Sequence, residues 1–414
     1  MQQQRAHRII RTAGILAFLA VASFGQSILG LKYPAGLPLA MASGMGVSMG
    51  GATAALKDEN CLMLANPANL GAVDKTVFSS LLSFNFLNLS GNGASTTQTE
   101  FLPRYFAFGF SMGVAGTIGL GLERRSDATL KYRGTTREQG YTTVDSVQAA
   151  LSRNGGMTVW SAAWGHSIGK RAYVGLGYER LYYVTDATRL KTVFGRQFDV
   201  GAAPAWYRVD ERDSSGFAFG GNGVRAGVMV PLGTFTIGAT GEYLLGGKAS
   251  VNNKEYYAGD SATSAQQYDF RLPPRISGGV SYDLSSSWLL SADLATVLWK
   301  YYIGPLNAPN VNYTTSFGAG AQFIPAPELL SPRYIEIMRY RAGFRYAQLP
   351  AQGNSEFSVS LGTGLPLKTN GLLDVVLELG RRSDSNHPDL HENIFNLSLG
   401  VNGGRKWTST PSGY

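Results

Sequence analysis

One cysteine, Cys61, stands in 414 residues, so no disulfide framework holds the chain together. Cys61 reads as a small packing residue. Charge is also scarce: Asp, Glu, Lys and Arg make up 15% of the chain, against the ~25% of a soluble globular protein. Long apolar runs are missing as well. The longest, residues 13–24, has 12 residues, short of the roughly 18 to 20 that a transmembrane helix needs. No basic cluster accompanies the formal net charge of +8, so nucleic acid is not an expected partner. A solvated face, or contact with anionic head groups of outer membrane lipid, fits that charge better.

What is present in quantity is glycine, with 52 residues, and aromatics, with 20 Phe, 21 Tyr and 6 Trp. Residues 1–25 read as a secretory signal: Arg5, Arg8 and Arg11 precede the apolar stretch, and small residues precede a cut at Gln26. From Thr76 onward, large apolar residues alternate with small or polar ones, the period-two signature of strands with two different faces. Phe106, Phe108 and Phe110 oppose Ala107, Gly109 and Ser111; Leu176 and Tyr178 oppose Gly175, Gly177 and Glu179. Phe395, Leu397, Leu399 and Val401 repeat the pattern near the end of the chain.

About fourteen such stretches can be counted between residues 76 and 401. The connections between them run long, short, long, short. Residues 90–100, 133–156, 192–215 and 251–267 read as long loops, whereas 114–116, 169–171, 232–233 and 285–286 are tight turns. Short turns at one end and long loops at the other are the layout of a transmembrane barrel, with the short turns periplasmic. Hydrocarbon offers no hydrogen-bond partner, so a sheet within it must close on itself, with apolar side chains on lipid and small or polar ones in the lumen. Aromatic pairs near strand ends, Tyr182 with Tyr183 and Trp299 to Tyr302, suit an interfacial belt. No repeat of fixed period supports a propeller. The expected fold is all-β: a transmembrane antiparallel β-barrel of about 14 strands in a bacterial outer membrane.

Ahead of the first strand lies "GMGVSMGGATAALKDENCLMLANPANLG", residues 44–71, rich in Gly and Ala and without lipid-facing alternation. A barrel this wide cannot fill its lumen with its own side chains. A small-residue segment able to pack against a glycine-rich wall therefore reads as an N-terminal plug, or hatch. The expected organisation is 1–25 signal peptide, 26–75 plug, 76–402 barrel and 403–414 periplasmic tail.

Signals for chemistry are weak, and no enzyme is expected. Gly109, Ser111 and Gly113 fit G-x-S-x-G but lie in an alternating strand rather than at a strand-to-helix elbow. His387 and His391 are separated by Pro388 and have no third ligand, so no metal is expected, and no cofactor. Carboxylates on the small-residue face, Glu123, Glu179, Glu242, Asp293, Asp374 and Glu378, read as anchors of polar networks with Arg and Lys. A basic residue such as Arg125 or Lys131 suits a ligand carboxylate. The run "VGAAPAWYRV", residues 200–209, is an apolar patch in an expected external loop.

The stretch "SMGGATAALKDE" followed by "NPA" resembles the N-terminal signature of the FadL/TodX outer membrane transport proteins. Gly50 and Gly51 stand for its Gly-rich run, Asp58 and Glu59 for its acidic pair, and Asn66, Pro67 and Ala68 for the "NPA". "LPPRISGGVSYDLSSSWLLSADLATVLWKYY", "YRAGFRY", "LGTGLPL" and "HENIFNLSLGVNGGRKW" resemble later strands of that family. "CLML" before "NPA" departs from it. The resemblance implies a passive, plug-gated transporter for hydrophobic small molecules such as long-chain fatty acids or aromatic hydrocarbons, with sideways release through the wall. Leu62, Met63 and Leu64 would then face the ligand. It also implies dependence on the barrel assembly machinery during biogenesis. PorV-like partners in protein secretion share the plug and the "NPA" run, and are the alternative reading.

Overall fold

The computed structural model describes residues 37–39, 43–91, 94–139, 144–169, 171–197, 205–257, 260–304, 311–367 and 371–406. The expected signal segment, residues 26–36 and 40–42 of the expected plug, and 407–414 of the expected tail lie outside them. After a short β1 (Leu37–Pro38), the wall begins with β2 (Thr76–Gly91), β3 (Ala94–Ser111), β4 (Thr117–Asp127), β5 (Leu130–Gln139), β6 (Val144–Ile168) and β7 (Ala172–Gln197). It goes on through β8 (Ala205–Leu232), β9 (Phe235–Tyr257), β10 (Asp260–Phe270), β11 (Arg275–Asp283), β12 (Trp288–Val297) and β13 (Thr314–Phe323). The last four are β14 (Arg339–Gln348), β15 (Asn354–Pro366), β16 (Gly371–Asp384) and β17 (His387–Arg405).

Each pairing in the wall is antiparallel, and β17 closes on β2 from Arg405 opposite Thr76 to His391 opposite Ser90. Two wall strands are interrupted. β4 and β5 both pair with β6, and β10 and β11 both pair with β9. Counted as single strands, they make a closed barrel of 14. The break after β10 falls at Leu272-Pro273-Pro274, where two residues have no N–H to give to the ladder. The break after β4 follows a register shift between Arg124 and Ser126.

The alternation sorts the side chains as hydrocarbon demands. Phe108, Leu120, Leu176, Phe357 and Leu399 are exposed on the outer face, while Ala107, Glu123, Glu179, Ser358 and Ser398 are buried inside. Tyr182 and Tyr183 do not form one belt. Tyr182 faces outward, but Tyr183 is buried in the interior, because successive side chains on a strand point to opposite faces. Tyr302 likewise turns inward beside the outward Tyr301.

The expected long loops are largely strand. β6, β7, β8 and β9 have 25, 26, 28 and 23 residues, far beyond the roughly 9–11 that cross a bilayer. Their ladder runs on to Ser146 opposite Phe194, Gln197 opposite Ala205 and Tyr257 opposite Asp260. Outside the membrane a strand needs no apolar face, so the pattern fades while the hydrogen bonding continues. Residues 200–204 of the expected apolar patch, and the side chains of 205–209, lie outside the described residues.

Candidate lumenal site

The lumenal site is built in three levels, beginning with the N-terminal segment. Residues 43–73 form a five-residue helix α1 (Gly44–Ser48), turns and bends, and a 3-10 turn (Pro67–Ala72). Ser43 caps α1, and Asn66 caps the turn by accepting from Ala68 N at 3.0 Å, with Pro67 at the first position where its missing N–H costs nothing. Asn66 also donates to Ala54 O at 2.6 Å, and Asn69 donates to Leu56 O at 3.0 Å, so the turn braces the irregular run ahead of it. Gly50 and Gly51 take left-handed backbone with φ of 70° and 82°.

Wall side chains from around the barrel satisfy this segment's backbone. Asp293 accepts from Thr53 N at 2.5 Å and Ala54 N at 2.6 Å. Ser79 accepts from Leu62 N at 2.9 Å; Tyr105 donates to Leu62 O at 3.0 Å and accepts from Leu64 N at 3.2 Å. Ser281 and Ser360 donate to Ala55 O and Ser48 O, and Thr117 donates to Val73 O. Lumenal glycines allow the approach: a Cβ at Gly238 would lie 2.0 Å from Ala54 O, and one at Gly343 would lie 2.1 Å from Gly50 N. Asp58 pairs with Arg339 of β14, and the exposed Glu59 sits 3.4 Å from Lys75. Ala68 is buried against the wall.

The second level is ionic. Arg125 donates to Glu123 at 2.7 Å and Glu179 at 2.6 Å, and also to Glu242. Arg225 lies 2.7 Å from Glu179, 3.3 Å from Glu242 and 3.4 Å from Glu123, and gives its other terminal nitrogen to Leu64 O at 2.7 Å. Arg125 is therefore engaged by three carboxylates instead of standing open to a ligand. Asp374 is held by Arg341 at 2.6 Å and Asn402 at 2.7 Å, and Glu378 lies 3.9 Å from Arg104. Glu123, Glu179, Glu242, Asp374 and Glu378 thus pair with Arg, whereas Asp293 serves backbone N–H groups of the N-terminal segment. Lys131 stands opposite Ser152 in the β5–β6 ladder, and its side chain lies outside the described residues.

The third level was missed by sequence reasoning. Farther from the tight turns on the same inward faces lie Tyr183, Phe217, Phe219, Phe270 and Tyr302, buried in one apolar cluster with Leu181 and Leu244. Phe219 and Phe270 have ring centroids 4.0 Å apart, and Phe270 meets Tyr302 edge-on at 5.7 Å. Arg153 donates to the Tyr183 hydroxyl at 3.0 Å, while the buried Tyr302 hydroxyl has no partner among the described residues. The signal was present in "GFAFGG": Phe217 and Phe219 share the parity of Arg225, which marks them as inward.

Leu62, Met63 and Leu64 are buried. A Cβ at Gly109 would meet Leu62 at 3.0 Å, and Leu64 packs on Gly119 and Gly121, while Met63 clusters with Met45, Met49, Leu56 and Cys61. Ser111 ends β3 and is followed by a three-residue 3-10 turn, so the G-x-S-x-G match has no elbow. Among the described residues, the wall parts between β3 and β4. β3 pairs with β4 only from Ser111 opposite Thr117 to Tyr105 opposite Glu123, and beyond that β1 takes the edge of β4, with Leu37 opposite Asp127. Leu39 N donates to Arg125 O at 2.8 Å.

A family model described as BamG matches residues 35–213 and 236–409. Among solved structures, the Ralstonia pickettii toluene transporter TbuX is similar over 88% of this chain and 99% of its own, at 16% identity and a TM-score of 0.60. The P. putida toluene transporter TodX is similar over 89% and 100%, at 14% identity and 0.60. A Pseudomonas aeruginosa FadL homologue is similar over 90% and 100%, at 12% identity and 0.60. At these identities the likeness is one of fold. No curated protein sequence matches.

Proposed function

This chain belongs to the BamG family, and we propose that it is a passive outer membrane transporter for hydrophobic small molecules, gated by its N-terminal segment. The carrying observation is the interior cluster of Tyr183, Phe217, Phe219, Phe270 and Tyr302. A lumen that only conducts water is polar, whereas an inward aromatic cluster with a Tyr302 hydroxyl unpartnered among the described residues suits an apolar body with one polar atom. The fold shared with toluene transporters supports the same reading. Below the cluster, the Arg125 and Arg225 layer and the seat of Leu62 and Leu64 act as the seal. Long-chain fatty acids and aromatic hydrocarbons are the substrate classes that match. Sideways exit falls where β3 and β4 part and Leu37–Leu39 occupy the free edge.

A second reading is a partner in outer membrane protein assembly or secretion. The family's name supports assembly, and the arms of β6 to β9 beyond the bilayer supply a docking surface that a small-molecule channel does not need. Equilibrium binding separates the two. Purified protein should bind oleate or toluene, and Phe270→Asp should abolish that binding while the barrel stays heat-modifiable on gels. A parent protein that binds no apolar molecule would favour the assembly reading.

A further inference from the structure

Outside the wall, on the face turned toward lipid, lies an apolar depression of about 750 Å3. It forms where outward positions are small, Ala162 on β6, Ala226 on β8 and Gly241 on β9, with Tyr178, Tyr243 and Ile276 rising around them and the inward Arg225, Glu242 and Arg275 also reached through its floor. Two residues beyond Tyr178 on the same face of β7 is Arg180, paired in register with Trp160 of β6 and Asn222 of β8. The Asn222 side-chain oxygen accepts from Arg180 at 2.8 Å and from Tyr178 at 2.7 Å, and the guanidinium lies 5.2 Å from the centre of the Tyr182 ring.

Arg180 has no carboxylate partner among the described residues, whereas Lys248, in the next row of the same face, is taken by Asp269 at 2.6 Å. Eight residues of tilted strand separate Arg180 from the end of the turn at Ala172, which places it about 20 Å up the wall. That is close to the outer edge of an apolar band ~25 Å tall, among ring side chains of an interfacial girdle. A cation on that surface is costly in hydrocarbon and is stabilised by an anion in the head-group layer.

We propose that this face binds an anionic lipid of the outer leaflet, its phosphate on Arg180 and an acyl chain in the depression below. Charge and apolar surface are arranged in the order such a molecule presents them, head above tail. The site opens on the outer face, away from the aromatic cluster, and needs no transport through the lumen, although Arg225 and Glu242 of the charged layer lie at its floor.

The test uses the full chain purified in neutral detergent and loaded with bis-phosphorylated lipid A, with retained lipid counted by native mass spectrometry. Removing the phosphates, or the substitution Arg180→Gln, should lower retention roughly five- to tenfold. Ala226→Phe, which fills the depression and leaves Arg180 in place, should lower it comparably, with both variants still heat-modifiable. Equal retention of the dephosphorylated lipid, retention that survives either substitution, or a dimer covering the face instead of bound lipid would overturn the proposal.

Discussion

Arg225 donates to the backbone oxygen of Leu64 at 2.7 Å and lies 2.7 Å from Glu179. One side chain thus joins the N-terminal segment to the charged layer across the barrel interior. Removing it frees Leu64 and leaves Arg125, with Arg275 opposite Glu242, against Glu123, Glu179 and Glu242. Arg225→Leu should destabilise the barrel by about 3–5 kcal/mol, the usual cost of breaking a buried ion pair from one side. The gel-shift temperature of the unboiled protein reads this directly, and Arg225→Lys should fall between the two because an ammonium lacks the planar fork.

The glycine contacts make a second expectation. Gly238→Val inserts bulk where Ala54 O lies 2.0 Å from the site of a Cβ, and overpacking of this kind costs about 1–3 kcal/mol. The strain falls on the seat of the segment rather than on the ladder. Maleimide labelling of Cys61, buried in the parent, should quicken roughly tenfold while the barrel remains folded. Deleting residues 26–70 should go further and leave an inserted barrel that conducts ions in planar bilayers.

Cys61 also predicts a pH dependence. Burial pushes its thiol from 9.0 up to about 12, with Asp374 and Asp58 adding to the rise and its bond to Ser43 at 3.0 Å opposing it. A folded value above the unfolded one means that the neutral thiol's contribution is intact below about pH 9 and fades as pH climbs toward 12. Cys61→Ala should flatten the loss of thermal stability across that window.

The projecting arms are expected to be dispensable for insertion. Shortening the hairpin of β7 and β8 by removing residues 190–213 leaves strands longer than the roughly 9–11 residues that cross the bilayer. The shortened protein should still migrate as a folded barrel, and loss of that migration would mean that the arms carry part of the fold.

The membrane-crossing stretches of the wall were legible in sequence because lipid on one side and a polar lumen on the other impose alternation, as in Phe357 to Leu361 against Ser358 and Ser360. Their outer extensions were not legible, since two watery faces leave no pattern for residues such as those of β5 and β10. The inward aromatics escaped for a different reason. Phe217 and Phe219 look like lipid-facing residues until their parity is tied to Arg225, and that tie needs the pairing of β8 with β7 and β9. Arg125 looked available to a ligand because its three carboxylate partners come from different strands, two of them more than fifty positions away.

Uptake of a hydrophobic molecule through the aromatic cluster is the central claim, and vesicles tested with the reconstituted full chain measure it most directly. Radiolabelled oleate and toluene should enter faster with the parent protein than with empty vesicles. Phe219→Asp and Phe270→Asp, confirmed as inserted, should return entry to the empty-vesicle rate. Entry unchanged by both substitutions, or no entry of any apolar molecule with the parent, would contradict the account.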